Sequence, residues 1–293
     1  MVPETLRLPV PYDGDRVLRY LAGRAIPGVE EVANGTYRRT IAVADSAAVL
    51  ALRPGTSHVA LSVTGAGVDD ALASRARRLL DLDTDPVEIA TALGADPVLA
   101  PLVAARPGLR VPGAYDGFEL AVRALLGQQV TVRGASTLAG RLVSRAGRPL
   151  PASPGGTLTH LFPRPAEVAA AELGGIGMPG RRIAALQGLA RAVAGGAVQL
   201  DGTTDRDATC DALLALPGIG RWTVDYLAMR AMGDRDAFPA GDLGLRRAAA
   251  ALGLPVRERA LRAHAERWRP WRAYAAMHLW TWATEDGPER RYG

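Results

Sequence analysis

A chain of 293 residues, 48% hydrophobic and 22% charged, can bury a core large enough for two domains and is neither disordered nor a short binding module. Its formal charge of +5 favours anionic partners only weakly, and all 35 basic residues are arginine, which excludes covalent chemistry through a lysine amine. The single cysteine, Cys210, excludes intramolecular disulfides, cysteine-rich zinc sites and a four-cysteine iron–sulfur cluster.

The amino end, Met-Val-Pro-Glu, has no basic segment followed by an apolar one, and no stretch is apolar for the roughly 20 residues a membrane span needs. A soluble cytoplasmic protein is expected. Within the first hundred residues, Leu6 to Val10, Tyr37 to Val43 and Val59 to Val63 alternate or carry β-branched residues, whereas Val17 to Arg24 and Asp69 to Leu82 have helical periodicity. This predicts a small α+β domain over residues 1–110. Two Pro/Gly pairs in Arg106-Pro-Gly-Leu-Arg-Val-Pro-Gly113 mark its end, and residues 111–293 read as helices separated by Gly/Pro turns, an all-α domain. The breaker-rich segment Gly147 to Gly156 predicts a loop inserted between helices.

Residues 213–230 carry the most information. In Leu213-Leu-Ala-Leu-Pro-Gly-Ile-Gly-Arg-Trp-Thr-Val-Asp-Tyr-Leu-Ala-Met-Arg230, Pro217 and Gly218 stop one helix, Gly220 permits close backbone approach, and a second helix begins near Arg221. The turn's N–H groups and the second helix's N-terminus then face outward together, a site for a phosphate oxygen that reads no base. Taken alone, Pro-Gly-x-Gly is equally compatible with an ordinary helix–helix turn. On the second helix, Trp222, Tyr226 and Met229 share one face and Val224, Leu227, Ala228 and Ala231 the other, so two partners are required. Met229 is expected in the core, while Trp222 and Tyr226, beside the turn, are expected to line a cleft.

Downstream, Asp242 follows Pro239 and Gly241 and precedes a helical stretch, where an aspartate serves as an N-cap. Capping also fixes the direction of the carboxylate while leaving an oxygen for another task. Between residues 266 and 282 stand four of the five tryptophans; Trp268 and Trp282 read as core, Trp280 as a pocket residue. His58, His160, His264 and His278 have no ligand-like spacing.

Together, the hairpin Leu-Pro-Gly-Ile-Gly-x-Trp-Thr, the downstream Pro-x-x-Asp, and Trp-Arg-Pro-Trp-Arg-x-Tyr-Ala-x-x-His-x-Trp resemble the inducible 3-methyladenine DNA glycosylases of bacteria, in the helix-hairpin-helix superfamily. The likeness extends to Pro11-Tyr-Asp13, Leu21-Ala-x-Arg24 and Ala105 to Gly113, so it covers nearly the whole chain, and no fused alkyl-transferase domain is expected. It implies an N-terminal domain related to the TATA-binding-protein fold, followed by an all-helical glycosylase domain. It implies a catalytic Asp242; a base pocket of Trp222, Tyr226 and Trp280; and DNA contacts at Gln129, Pro217, Gly218, Ile219, Gly220, Arg221 and Thr223.

The resemblance further implies a Na+ or K+ ion on the backbone carbonyls of Leu214, Leu216 and Ile219, and no cofactor for catalysis. Bifunctional relatives carry a Schiff-base lysine at the position of Trp222, so hydrolytic release of an alkylated base without strand nicking is the implied reaction. The implied partner is duplex DNA with alkylated bases, met by a monomer associated with the bacterial nucleoid. Two positions depart from the family. Gly241 stands where another acid often precedes the aspartate, and Gln129 stands where a leucine fills the gap left by the flipped base. The competing reading is a non-catalytic helix-hairpin-helix protein that recognises DNA structure or damage; it needs the hairpin but neither Asp242 nor the aromatic pocket.

Overall fold

The computed structural model describes residues 4–44, 46–202 and 204–287; most of the Met-Val-Pro-Glu start lies outside them. Five antiparallel strands, β1 (Glu4–Arg7), β2 (Glu30–Ala33), β3 (Thr36–Val43), β4 (Ser46–Pro54) and β5 (His58–Thr64), form one sheet in the order β1-β5-β4-β3-β2. In β5, Val59, Leu61 and Val63 are buried while their neighbours are not, the period-2 pattern of a strand with one covered face. The β2–β3 turn is Asn34-Gly35, both with positive φ (50° and 70°), which matches a two-residue hairpin loop. Helices α1 (Gly14–Ala22) and α2 (Asp70–Leu80), capped by Asp13 and Asp69, share one core with the sheet.

Among the described residues eleven further helices follow: α3 (Pro86–Leu93), α4 (Ala100–Ala105), α5 (Gly117–Leu126), α6 (Val132–Ala146), α7 (Pro165–Ala170), α8 (Gly180–Ala194), α9 (Arg206–Leu214), α10 (Arg221–Arg230), α11 (Leu243–Ala251), α12 (Glu258–His264) and α13 (Arg272–Glu285). They form two cores. One gathers α5, α6, α8 and the start of α10; the other gathers α3, α4, α11, α13 and the end of α10. Helix α10 lies between them, sending Val224 and Leu227, with Tyr226 against them, into the first and Ala228 and Met229 into the second, so it has two partners but divides its residues between them differently from the expected faces. No helix among the described residues is long and apolar enough to cross a membrane.

Packing does not break at residue 110. Ile89, Leu93, Leu99, Leu102, Val103 and Leu109 belong to the second helical core, and Ile26 and Val29 to the first. The breaker-rich segment is irregular except at its edges, where β6 (Arg148–Pro149) pairs with β7 (His160–Leu161), so the helical part holds one minimal ribbon. Strands β2 and β4 and helices α3 and α4 have no counterpart among the elements predicted above. Alanine supplies three of the nine residues of β4, which mutes its strand signal.

Candidate active site

Three elements bring the predicted site together. In the hairpin, Gly218 takes φ +83°, and a Cβ there would stand 2.7 Å from the Ala185 methyl, so glycine is required both for its conformation and for its lack of a side chain. Pro217, Gly218 and Gly220 are exposed, and the helix begins on Gly220 without a side-chain cap, which leaves the first N–H groups of α10 facing outward. Asp225, buried, accepts from Arg221 Nε (3.1 Å) and Arg262 Nη2 (2.7 Å), fixing the first turn of α10 to α12.

Helix α10 then presents Trp222 and Tyr226 one turn apart, their rings stacked at 5.6 Å and 19°. Opposite them, the turn Ala237–Asp242 is closed by Asp242 N–H donating to the Pro239 carbonyl (2.8 Å) and opens α11. Asp242 Oδ1 accepts from Leu245 N–H (2.8 Å) as the N-cap and from Trp280 Nε1 (2.8 Å); Oδ2 accepts from Trp222 Nε1 (3.0 Å). The cap is therefore real, and the expectation that it leaves an oxygen free needs amending. Both oxygens are held, Oδ2 by an indole from the pocket wall itself.

These residues line a cleft of about 580 Å³ between α1, α5, α10 and α13. It deepens past Tyr226 to Arg230, which is buried and donates to the Pro112 carbonyl (2.5 Å), while its Nε has no partner. Tyr20 from α1 is sandwiched there, 3.9 Å from the Arg24 guanidinium carbon and 4.6 Å from that of Arg230. Burial pushes the Tyr226 phenol up to about 12, and the neighbouring Tyr20 adds to the shift. For Tyr20, burial acts in the same direction but is outweighed by the Arg230, Arg24 and Arg123 guanidiniums and a hydrogen bond with Tyr226, so its phenol titrates below the usual value.

Other predicted contacts divide. Gln129 is exposed at the tip of the loop between α5 and α6 with φ +60°, and Arg221 is exposed although paired with Asp225. The Thr223 side chain is buried and its hydroxyl accepts from Gln128, which leaves only its backbone, in the first turn of α10, for a DNA contact. The Ile219 side chain lies in the core, so any contact it makes in the turn is through its backbone. Leu214 ends α9, Leu216 and Ile219 lie in the turn after it, and the Leu216 carbonyl already accepts from Ile219 N–H (3.2 Å). A second lone pair remains on it, so a neutral set of carbonyl oxygens suits a monovalent cation. Among the described residues no cluster of His, Cys, Asp and Glu could hold a metal ion.

Gly241 lies beside the flexible, half-exposed carboxylate of Glu258. A Cβ there would stand 3.1 Å from Glu258 Oε2, so an acid reaches the neighbourhood of Asp242 from α12 rather than from the preceding residue. Trp268 is core and donates to Asp96 Oδ2 (2.9 Å). Sequence reasoning missed Tyr20, Arg24 and Arg230. The last is legible, since it continues the face of Trp222 and Tyr226 by four residues; Tyr20 and Arg24 are brought in by tertiary packing alone.

Family models match on both sides of the chain: the AlkA N-terminal domain over residues 5–116, and the HhH-GPD superfamily of base excision DNA repair proteins over residues 122–273. The probable bifunctional transcriptional activator/DNA repair enzyme AlkA of Mycobacterium tuberculosis is 46% identical over 281 residues, covering 94% of this chain and 56% of that protein. The chain thus spans about half the length of that relative. DNA-3-methyladenine glycosylase 2 of Escherichia coli is 37% identical over 94% of this chain and 96% of its own. Among solved structures, a 3-methyladenine DNA glycosylase from Archaeoglobus fulgidus superimposes with a TM-score of 0.83 at 20% identity, covering 97% of this chain and 99% of that one, a likeness of fold.

Proposed function

This chain belongs to the HhH-GPD superfamily of base excision DNA repair proteins and carries an AlkA N-terminal domain, and from that premise we propose that it is a monofunctional DNA N-glycosylase excising alkylated bases. The observation that carries the reading is a carboxylate, Asp242, whose two oxygens are held by the indoles of Trp222 and Trp280 at the mouth of an aromatic cleft beside an exposed hairpin.

The outward N–H groups of the hairpin bind backbone phosphate, and the target base leaves the stack for the cleft. Damage that weakens stacking or pairing lowers the cost of that step. A base alkylated at adenine N3 or guanine N7 carries positive charge, which the faces of Trp222 and Tyr226 attract by roughly 0.5–2 kcal/mol. Asp242 adds attraction at the mouth, whereas Arg24 and Arg230 repel a cation from the floor. A charged base therefore settles high in the cleft, with its sugar toward the carboxylate.

When the C1′–N bond breaks, its electron pair stays with the base, which leaves neutral because it began cationic; no general acid is needed. The sugar becomes oxocarbenium-like, and Asp242 stabilises that charge electrostatically. Water adds at C1′ and loses a proton, giving an abasic site. With an indole rather than an amine at position 222, and no lysine in the sequence, strand cleavage through a Schiff base has no lysine nucleophile. Should a monovalent cation bind, Leu214, Leu216 and Ile219 would hold it and it would add positive charge at the phosphate grip.

The same proposal takes residues 1–110 as a unit related to the TATA-binding-protein fold, supported by its five-stranded antiparallel sheet sharing a core with two helices, while its last helices, α3 and α4, pack into the helical core. Residues 111–293 form the glycosylase unit, acting as a soluble cytoplasmic monomer on nucleoid DNA. Incubation with methylated duplex DNA should release 3-methyladenine or 7-methylguanine, and the strand should break only after alkali. Binding without release would favour a non-catalytic damage-recognition protein.

A further inference from the structure

The loop between α5 and α6, which carries Gln129, is tied down on both sides. Gln128 Nε2 donates to the Gly218 carbonyl (3.1 Å) and to Thr223 Oγ1 (3.3 Å), joining the loop to the hairpin turn and to the first turn of α10. Its orientation is not ambiguous, because a carbonyl can only accept and the amide must turn its nitrogen there. From the other side, Arg182 of α8 donates Nη2 to the carbonyls of Leu125 (2.8 Å) and Leu126 (3.1 Å), satisfying the end of α5 immediately before the loop. Between these ties stands Gln129, exposed and left-handed at φ +60°. That conformation costs a residue with a Cβ, and it persists where its surroundings over-determine it.

We infer that Gln128 is a positioning residue that fixes Gln129 relative to the hairpin, so that gripping a phosphate also sets where Gln129 enters the base stack. The inference rests on the glycosylase reading above and adds a coupling between its two DNA contacts. Gly218, whose carbonyl Gln128 holds, lies in the phosphate-facing turn itself, where its backbone packs so close to Ala185 that a Cβ would stand 2.7 Å from that methyl. Displacements of about 1 Å at such a contact are enough to cost a hundredfold in rate. Without the Gln128 amide, the loop can leave its left-handed state and withdraw Gln129. The flipped-out base then loses what replaces it in the stack, while the chemistry at Asp242, which Gln128 does not touch, is unchanged.

Gln128→Ala and Gln128→Glu, the second keeping the volume but removing the donor at neutral pH, separate these effects. Single-turnover release of 7-methylguanine is measured from a fully paired duplex and from the same strand without its complement, where nothing fills a gap. Release from the duplex should fall tenfold or more, about 1.4 kcal/mol, and release from the single strand less than twofold. Gln129→Ala should show the same split. Equal losses on both substrates would assign Gln128 to the general scaffold, and a Gln129→Ala split without a Gln128 split would sever the tie; either overturns the inference. If the unmodified protein releases no base from either substrate, the glycosylase reading fails first.

Discussion

Replacing Asp242 by asparagine separates its two roles, because the substitution preserves one and removes the other. Asparagine caps a helix about as well as aspartate, so the bond to Leu245 N–H and the start of α11 survive. An amide, however, has one acceptor oxygen where the carboxylate has two. With that oxygen on Leu245 and Trp280, the NH2 group faces Trp222 Nε1, a donor against a donor where a 3.0 Å bond had been. Leaving a half-buried indole N–H unmet costs about 1 kcal/mol, which in a domain of this size lowers Tm by roughly 2–4 °C. The catalytic loss is larger. Removing a preorganised group that faces charge developing in the transition state costs about 10²–10³ in rate, or about 2.7–4 kcal/mol. The assay pairs single-turnover base release with binding to a duplex holding an uncleavable abasic analogue, under conditions where the variant is fully folded. Release should collapse while binding stays within a few-fold. Near-normal release would remove Asp242 from the chemistry, and parallel loss of release and binding would show that the carboxylate merely builds the pocket.

Other outcomes follow from the same geometry. Trp222→Phe keeps a ring on Tyr226 but loses the donor to Oδ2; excision of cationic bases should fall roughly 2- to 30-fold, matching a cation–π and hydrogen-bond loss of about 0.5–2 kcal/mol. Gly218→Ala, forced into φ +83° and against Ala185, should weaken binding to abasic-analogue DNA at least tenfold with a smaller loss of Tm, measured by fluorescence anisotropy and calorimetry. Burial, with Arg106 and Arg16 nearby, holds the His278 imidazole down to about 3. A depressed folded pKa means that stability is full above the unfolded value of about 6.5 and is lost as pH falls toward the folded one, about 2 kcal/mol between pH 7 and 5. His278→Gln should flatten that slope in urea titrations. Borohydride added during turnover should trap no covalent DNA adduct, and a trapped adduct would refute the monofunctional assignment.

The parts of this molecule that sequence exposed are those where one short stretch carries both periodicity and chemistry. The α10 face is such a stretch: Trp222 and Tyr226 stand one turn apart, and the turn before them contains its own stop and start signals. The parts that stayed hidden depend on distant partners. Asn34-Gly35 is a strong local hairpin signal, but β2, with two glutamates, and the alanine-rich β4 become strands only because β3 lies between them. Helices α3 and α4 are short and precede the expected boundary, yet they fill the core beneath α13.

Asp242 explains why a residue can be read correctly in two ways. An N-cap position supplies a carboxylate whose direction the backbone fixes, because Leu245 N–H takes one lone pair of Oδ1. Sequence pattern detects that much and stops there, since nothing local distinguishes a cap on a surface from a cap in a cleft. The distinction lies in the donors for the remaining lone pairs. Here they come from indoles 20 and 38 residues away, on different helices, one of them also a wall of the cleft. A base that stacks on Trp222 therefore meets the group that orients Asp242, and base recognition and the carboxylate's direction are set by the same side chain. That dependence means that Trp222→Phe perturbs both at once: the smaller ring attracts a cationic base less, and loss of the indole N–H releases Oδ2 of Asp242.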